Sequence, residues 1–183
     1  MAISIQDAFA SVSGITSITP WTYVVSATSA TTIFVCGHMT DVTSPAATLT
    51  SSLDTLTTIA SEDGGVGPRS IMRYKLNPTV GSHVMTASNP GQGNLQWGVV
   101  FTLVDSVAGA SSVVSAGATS MTDTISSGGS DLIVSHGLVN GGATSLVNGA
   151  DQTEMLAWVK VNTGWFWVGY QLGSANDVVS HSW

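Results

Sequence analysis

The chain has 183 residues, of which 43% are hydrophobic and only 8% carry a charge. Four Lys and Arg stand against eleven Asp and Glu, which leaves a formal net charge of -7. Such a chain repels a phosphate backbone, so we expect no nucleic-acid partner. No apolar run reaches the roughly 20 residues that a membrane-spanning helix requires, so we expect no membrane partner. The length suits one domain, which we predict to cover 1–183.

Short runs of β-branched and aromatic residues recur along the chain, and Gly, Ser, Asn and Pro separate them. In chain order the clearest runs are Trp21–Ser26, Thr32–Gly37, Leu53–Ala60, Arg69–Leu76, His83–Ala87, Gly98–Val104, Ser120–Ile125, Asp131–Val139, Met155–Val161 and Phe166–Leu172. Short strands with turn residues such as Asn77-Pro78 between them are typical of an antiparallel sandwich or barrel. We therefore predict an all-β fold, an antiparallel β-sandwich.

The two ends of the chain flank a predicted sandwich body at 19–172. Residues 1–18 are a candidate N-terminal arm that contains the best helical candidate, Ile5–Val12, and residues 173–183 form a predicted tail. Terminal segments either dock on neighbouring subunits or remain disordered, and both alternatives stay open here. The start of the chain lacks the basic and apolar regions of a secretory signal, so we expect synthesis in a cytoplasm. The single Cys36 excludes an internal disulfide, so stability must come from burial or from assembly.

Several stretches carry a resemblance to a known family. They are Trp21–Ser26, Ile33–Gly37, Ile71–Pro78 followed by Gly81–Thr86, Gly98–Asp105 and Thr122–Val134. Together they resemble a β-sandwich module of bacteriophage structural proteins, in which a strand ends in Leu-Asn-Pro and a turn with Gly follows. The resemblance covers about residues 20–172. It implies a jelly-roll-like or Ig-like sandwich of the kind found in virion decoration, tail or fibre proteins, with no enzymatic site and no cofactor.

The predicted strand Arg69–Leu76 concentrates positive charge on one of its faces. Side chains alternate along a strand, so Arg69, Arg73 and Lys75 share a face with Ile71. On an acidic chain, this stripe is a candidate docking site for carboxylates of a partner subunit or of a capsid shell. The alternative is a solvated face that nearby acidic residues neutralise, because exposed ion pairs are common and weak.

Two closely spaced tryptophans, Trp165 and Trp167, lie at the start of the predicted strand Phe166–Leu172. Trp165 and Trp167 alternate with Phe166, Val168, Tyr170 and Leu172. If the second set forms the core, the two indoles face outward, where they can anchor a subunit interface or stack on a sugar ring. The alternative is a strand that is buried on both of its faces.

The remaining chemistry-bearing residues give little support to a metal site or an active site. His38, His83, His136 and His181 lie in separate segments without metal-ligand spacing. His136 alternates with apolar residues, so we interpret it as a core or interface histidine that is hydrogen-bonded to the backbone. Cys36 lies in an apolar run and is interpreted as a small buried hydrophobe. Nucleophile elbows and phosphate-binding loops are missing, so we expect no enzyme, no metal and no cofactor.

These observations and the resemblance predict a non-enzymatic virion protein. The first hypothesis is a capsid decoration or cement protein, assembled in the host cytoplasm as a homotrimer. Its partners would be the major capsid protein or other virion subunits, contacted through Arg69, Arg73, Lys75, Trp165 and Trp167. The second hypothesis is a tail- or fibre-borne module that binds a receptor or a glycan through the two indoles.

Overall fold

The computed structural model describes residues 3–13, 20–40, 48–63, 69–88, 93–102, 120–125, 131–140, 147–148, 152–161, 164–172 and 177–182. Their strands are β1 (Ser4–Ser13), β2 (Trp21–Val25), β3 (Ile33–Thr40), β4 (Thr48–Ser51), β5 (Thr57–Asp63), β6 (Arg69–Leu76), β7 (Gly81–Ser88), β8 (Asn94–Thr102), β9 (Ser120–Ile125), β10 (Leu132–Asn140), β11 (Val147–Asn148), β12 (Thr153–Val161), β13 (Gly164–Leu172) and β14 (Asp177–Ser182). No helix that is long and apolar enough to cross a membrane occurs among these residues.

The described strands form four antiparallel sheets. A five-stranded sheet with the order β1-β8-β3-β6-β5 is called the central sheet. The sheet β2-β7-β4 is the second layer, β10-β13-β12 is the third layer, and β11-β14-β9 is the C-terminal sheet. The prediction of an all-β, antiparallel, sandwich-like fold is therefore confirmed.

The central sheet is covered on both of its faces, as its middle strand β3 shows. All eight residues of β3 are buried. Phe34 and Cys36 pack toward the second layer, whereas Ile33 and Val35 pack toward the third layer. A strand that is buried on both faces has a nearly continuous apolar sequence instead of an alternating one.

A glycine in β3 allows a large ring to lie flat against the central sheet. A Cβ atom added to Gly37 would lie 2.5 Å from Cε2 of Trp97, which is closer than real Cβ atoms approach a ring. Gly37 and Trp97 are directly paired across β3 and β8. Strand glycines often mark such a close approach, and here the glycine provides the space for the indole.

The second layer packs its alternating inward side chains against the central sheet. In β2 the residues Trp21, Tyr23 and Val25 are buried and those between them are exposed. The Tyr23 ring stacks on Phe34 of the central sheet, with ring centroids 3.8 Å apart. This apolar contact joins the two layers into one core.

The third layer covers the opposite face of the central sheet. Phe166 and Val168 of β13 are fully buried against a cluster that includes Trp97 and Val99 of β8. Tyr170 meets Phe101 edge to face, with ring centroids 5.7 Å apart. The strand β3 is therefore the middle of a three-layer stack.

The best helical candidate in the sequence, Ile5–Val12, is part of a strand. Residues Ser4–Ser13 form β1, which pairs with β8 along its whole length at one edge of the central sheet. The register shifts between Ile5 and Asp7, which marks a β-bulge at this point. Because the bulge changes which face the following residues point to, the two-residue alternation of a strand is hidden in the sequence.

The bulge in β1 brings polar side chains to the edge of the second layer. Gln6 Nε2 donates to the carbonyl oxygen of Ala27 at 2.8 Å, and the backbone N–H of Val24 donates to an Asp7 carboxylate oxygen at 3.1 Å. These bonds satisfy backbone groups beside β2, an edge strand. An edge that is satisfied in this way is protected from pairing with another chain.

The Leu-Asn-Pro segment forms a turn between the central sheet and the second layer, in agreement with the predicted turn at Asn77-Pro78. Asn77 has a φ of 48°, its backbone N–H donates to the carbonyl oxygen of Thr32, and its side chain accepts from Thr28 Oγ1 at 2.7 Å. Asn tolerates this left-handed conformation better than most residues.

Among the predicted segments, the run Leu53–Ala60 and the tail 173–183 show clear differences from the structure. The run Leu53–Ala60 was predicted as one strand, but residues 53–56 lie outside the strands and β5 begins at Thr57. Asp54 in this connection accepts hydrogen bonds from Thr79 N and Thr79 Oγ1. Within the predicted tail 173–183, Asp177–Ser182 forms β14 and pairs with β9.

Candidate functional site

The predicted cationic stripe lies between two sheets. Ile71 of β6 is part of the core between the central sheet and the second layer, so the residues that alternate with it point the same way. Arg69 has only 8% of its surface exposed. Arg73 Nη1 donates to the backbone carbonyl oxygen of Leu49 in β4 at 2.8 Å. The expectation of an outward cationic face is corrected: the alternation was right, but this face is covered by the second layer.

Lys75 lies on the same face, near the C-terminal end of β6 and two residues before Asn77. It is partly exposed, as is Arg73. Its contact with a partner stays a prediction.

The two predicted indoles do not form an exposed pair. Phe166 and Val168 are core residues, but Trp167 on the opposite face is also fully buried, at 0% exposure. Gly169 accommodates the Trp167 ring, because an added Cβ atom would lie 2.9 Å from its Cη2 atom. The alternative of a strand buried on both faces therefore describes β13, and Trp167 is not accessible to a sugar ring.

Trp165 keeps a partial exposure beside a lysine. The Lys160 ammonium nitrogen lies 5.7 Å from the centroid of the Trp165 ring, within the range of a cation–π contact. The two residues are paired across β12 and β13. Because the ring already faces an ammonium group, a single partly covered indole remains of the predicted aromatic surface.

His136 connects the third layer to the central sheet through side chains. The Trp97 Nε1–H donates to His136 Nδ1 at 2.9 Å, and His136 Nε2 lies 2.6 Å from Ser70 Oγ. The interface position matches the interpretation from the sequence, but the partners are side chains and not the backbone. Burial, and secondly the positive charge that His38 can carry, lower the pKa of His136 to about 4.

His83 lies in a second polar cluster, next to a serine and an aspartate. Ser51 Oγ is 2.9 Å from His83 Nδ1, and His83 Nε2 is 2.6 Å from the carbonyl oxygen of Thr79. Asp54 Oδ2 lies 3.8 Å from the same Nδ1 atom. Because a carbonyl only accepts, Nε2 carries the proton and Nδ1 accepts from Ser51.

This arrangement differs from a catalytic triad in one respect. In a triad the carboxylate binds the ring nitrogen opposite to the serine and thereby orients the base. Here Asp54 and Ser51 approach the same nitrogen, and both Asp54 oxygens also accept from Thr79. The cluster ties the connection after β4 to the turn before β7, which is a structural role.

Metal ligands do not cluster in the part of the chain that the structure describes. No group of three or more His, Cys, Asp or Glu side chains is placed to hold an ion there. Cys36 is free and fully buried, and burial raises the pKa of its thiol above the usual range. The burial of Cys36 agrees with its interpretation as a small buried hydrophobe.

The outer face of the second layer is the most distinctive exposed surface of the described residues. We call it the neutral face, and it consists of Thr22, Val24, Thr48, Thr50, Ser82, Val84 and Thr86. All seven are exposed and none carries a charge. Val24 and Val84 are 50% and 43% exposed, and the exposed Leu53 and Val80 flank the end of this layer. Of the six large hydrophobic residues that are exposed in the described part of the chain, four thus gather here, and such patches mark interaction surfaces.

The neutral face was not predicted from the sequence, although part of its signal was present there. In Trp21–Val25, large aromatic residues alternate with Thr22 and Val24, so one uncharged exposed face follows from the alternation. The polar clusters around His83 and His136 had no such signal, because their members are 32 and 66 residues apart in the chain.

No known protein family, curated protein or solved structure matches this chain.

Proposed function

We propose that this chain is a non-enzymatic structural protein of a bacteriophage virion, specifically a decoration or cement protein. It acts as a homotrimer that contacts the major capsid protein and stabilises the shell. The phage assignment depends on the resemblance carried by the Leu-Asn-Pro strand and the segments around it. The neutral face is the observation that carries the assembly role.

Charge supports association through the neutral face. With a net charge of -7, two copies repel each other wherever their acidic surfaces meet. An uncharged face avoids this repulsion and also avoids the cost of removing charged groups from water. Burial of its valines adds about 25 cal/mol per Å² of apolar surface, from which the cost of association is subtracted.

The capped edges of the second layer also favour contact through its face. Asp7 and Gln6 bind backbone groups at the β2 side, and Arg73 binds the backbone of β4. Strand edges that are blocked in this way do not extend into a neighbouring sheet. Assembly through this layer therefore requires contacts between the side chains of the neutral face and those of a neighbouring copy.

The oligomer is tested by light scattering over a range of concentrations. We expect a mass near three times 18.7 kDa for the natural chain. Val84→Lys should dissociate it, because a charge is placed in the neutral face. Leu76→Lys is the matched control, since Leu76 is another exposed aliphatic residue that lies outside this face. A monomer at every concentration, or equal dissociation by both variants, contradicts association through the neutral face.

The capsid role needs a separate measurement. The purified chain is added to shells of its own virion that were assembled without it, and the bound copies and the shell's resistance to heat are measured. We expect saturable binding and a higher temperature of shell disruption. Shells that neither bind the chain nor gain resistance contradict the decoration role, whatever the oligomeric state.

The glycan-binding alternative has less support, because Trp167 is buried and Trp165 faces Lys160. Soluble sugars should therefore leave the tryptophan fluorescence unchanged. A saturable spectral shift with one class of sugar favours the tail or fibre module instead.

A further inference from the structure

His136 holds two layers of the fold together through both of its ring nitrogens. The residue lies on β10 of the third layer, whereas its partners Ser70 and Trp97 lie on β6 and β8 of the central sheet. The Trp97 ring meets the imidazole edge to face, with centroids 5.7 Å apart. One side chain thus makes two polar bonds between these layers within a largely apolar interface.

These bonds require the neutral imidazole. An indole nitrogen can only donate, so His136 Nδ1 must be the unprotonated nitrogen that accepts from Trp97. The Nε2 atom then carries the proton and donates to Ser70 Oγ. A second proton on Nδ1 would place two N–H groups against each other at 2.9 Å, so this bond cannot survive protonation.

The two side chains that bind His136, Ser70 and Trp97, carry no negative charge that could balance a proton on the imidazole. On β5, Glu62 is paired with Ser70 and so belongs to the same face of the central sheet. Strand β3 contributes His38, which alternates with Phe34 and Cys36 and so points toward the second layer; its charge would still add repulsion. On β6, the side chains Arg69, Arg73 and Lys75 point to the opposite face of the central sheet, toward the second layer. The described residues of β8 and β13 include no charged side chain. In the third layer, Asp131, Glu154 and Lys160 are exposed at the surface.

His83 shows the opposite situation within the same molecule. A carboxylate oxygen of Asp54 lies 3.8 Å from its Nδ1 atom. The buried His83 therefore has an acidic neighbour, whereas the two side chains that bind His136 are uncharged.

We propose that His136 is an acid-sensitive latch that holds the third layer on the central sheet when neutral and releases it when protonated. Release exposes the apolar side chains of this interface, among them Trp97, Phe166 and Val168. The second layer stays attached. The inference does not depend on the proposed virion role, because it concerns only this chain's own layers.

Hydrogen exchange of the full chain, measured from pH 7.5 to pH 4 and corrected for the intrinsic pH dependence of exchange, tests the latch. On acidification we expect the amides of β10, β12 and β13 to lose protection by at least about tenfold before those of β2, β3 and β7 do, since layers can open as separate units. A loss that is uniform over all strands indicates global acid unfolding and overturns the proposal.

A matched variant separates the latch from other titrating groups. In His136→Gln, the amide oxygen can accept from Trp97 and the amide nitrogen can donate to Ser70, but the side chain does not bind a proton. We expect this variant to keep the third layer protected down to pH 4, whereas His38→Gln should still release it. If His136→Gln releases the third layer at the same pH as the natural chain, the latch is overturned.

A second readout keeps the test decisive if His136→Gln fails to fold. The indole N–H resonance of Trp97 in the natural chain reports its bond to His136 directly. We expect this resonance to shift over the same pH range in which the third layer loses protection. An indole resonance that stays constant while the layer opens overturns the proposal as well.

Discussion

Arg73 Nη1 lies 2.8 Å from the backbone carbonyl oxygen of Leu49, so a cation of the central sheet satisfies the backbone of an edge strand in the second layer. This bond gives Arg73 a function within the fold. Together with the contacts of Gln6 and Asp7 at the β2 side, it leaves both edges of the second layer capped by side chains of the central sheet. Edge protection of this kind limits unwanted strand pairing.

Replacement of Arg73 with Met should lower the free energy of unfolding by about 1–3 kcal/mol, because the Leu49 carbonyl loses its donor. Urea unfolding measures this change. Lys75→Met is the matched control, since Lys75 lies on the same strand face; a change within about 0.5 kcal/mol is expected there. Equal losses in the two variants would contradict the capping role of Arg73.

Gly37→Ala should destabilise the fold by about 1–3 kcal/mol, the usual cost of overpacking a core. The added Cβ atom would lie 2.5 Å from Trp97 Cε2, and the ring is fully buried and has little room to move. Unfolding of the single variants and of the double variant with Trp97→Leu measures the coupling between the two positions. The smaller side chain should relieve most of the penalty, and additive losses would show that the ring is not the cause.

The free energy of unfolding should decrease as the pH falls from about 6.5 to about 4. Burial lowers the pKa of both His38 and His136 from 6.5 to about 4, so the unfolded chain binds more protons in this range. By linkage, stability rises with pH wherever the unfolded state binds more protons. Above pH 6.5 both histidines are neutral in the folded and in the unfolded chain, so they cost no stability there; the cost grows as the pH falls from about 6.5 to about 4.

Urea unfolding at several pH values measures the slope of the unfolding free energy against pH. This slope corresponds to the protons that the two histidines take up on unfolding, up to about two. His38→Gln should reduce the slope by about half, because one of the two titrating groups is removed. A slope that is unchanged in this variant would assign the effect to other groups.

Cys36 should resist thiol reagents in the native protein. The side chain is fully buried, and burial raises the pKa of its thiol, so little of the reactive thiolate forms at neutral pH. Reaction with a chromogenic disulfide should be slow in buffer and complete within minutes in denaturant. Rapid modification of the native chain would contradict the placement of Cys36 between the central sheet and the second layer.

The relation between sequence and structure differs among the elements. The runs around Trp21 and Phe166 were predicted as strands because β-branched and aromatic residues cluster between turn residues, and both are strands. The segment Ile5–Val12 was not recognised, because the bulge at Gln6 interrupts its alternation. Segments 48–51 and 177–182 are short strands whose pairing partners are distant in the chain, and such pairing leaves no local pattern.

For the candidate sites, alternation assigned residues to faces correctly but did not determine what covers each face. Arg73 and Ile71 share a face as predicted, and Phe166 and Val168 share another. The docking interpretations of the arginine face and of the tryptophan face both required an outward face, such as a two-sheet sandwich leaves on each sheet. The central sheet is instead covered on both faces, and Trp167 is buried on the face of β13 that points away from the central sheet.

The sequence by itself determined the all-β class, the turn at Asn77-Pro78 and the sharing of strand faces, because these depend on local propensity and on the two-residue period of a strand. Only the tertiary structure decided that Arg73 caps Leu49, that Trp167 is buried and that His136 joins Ser70 to Trp97. These contacts connect residues that are far apart in the chain, so the packing of layers and not the local sequence brings them together.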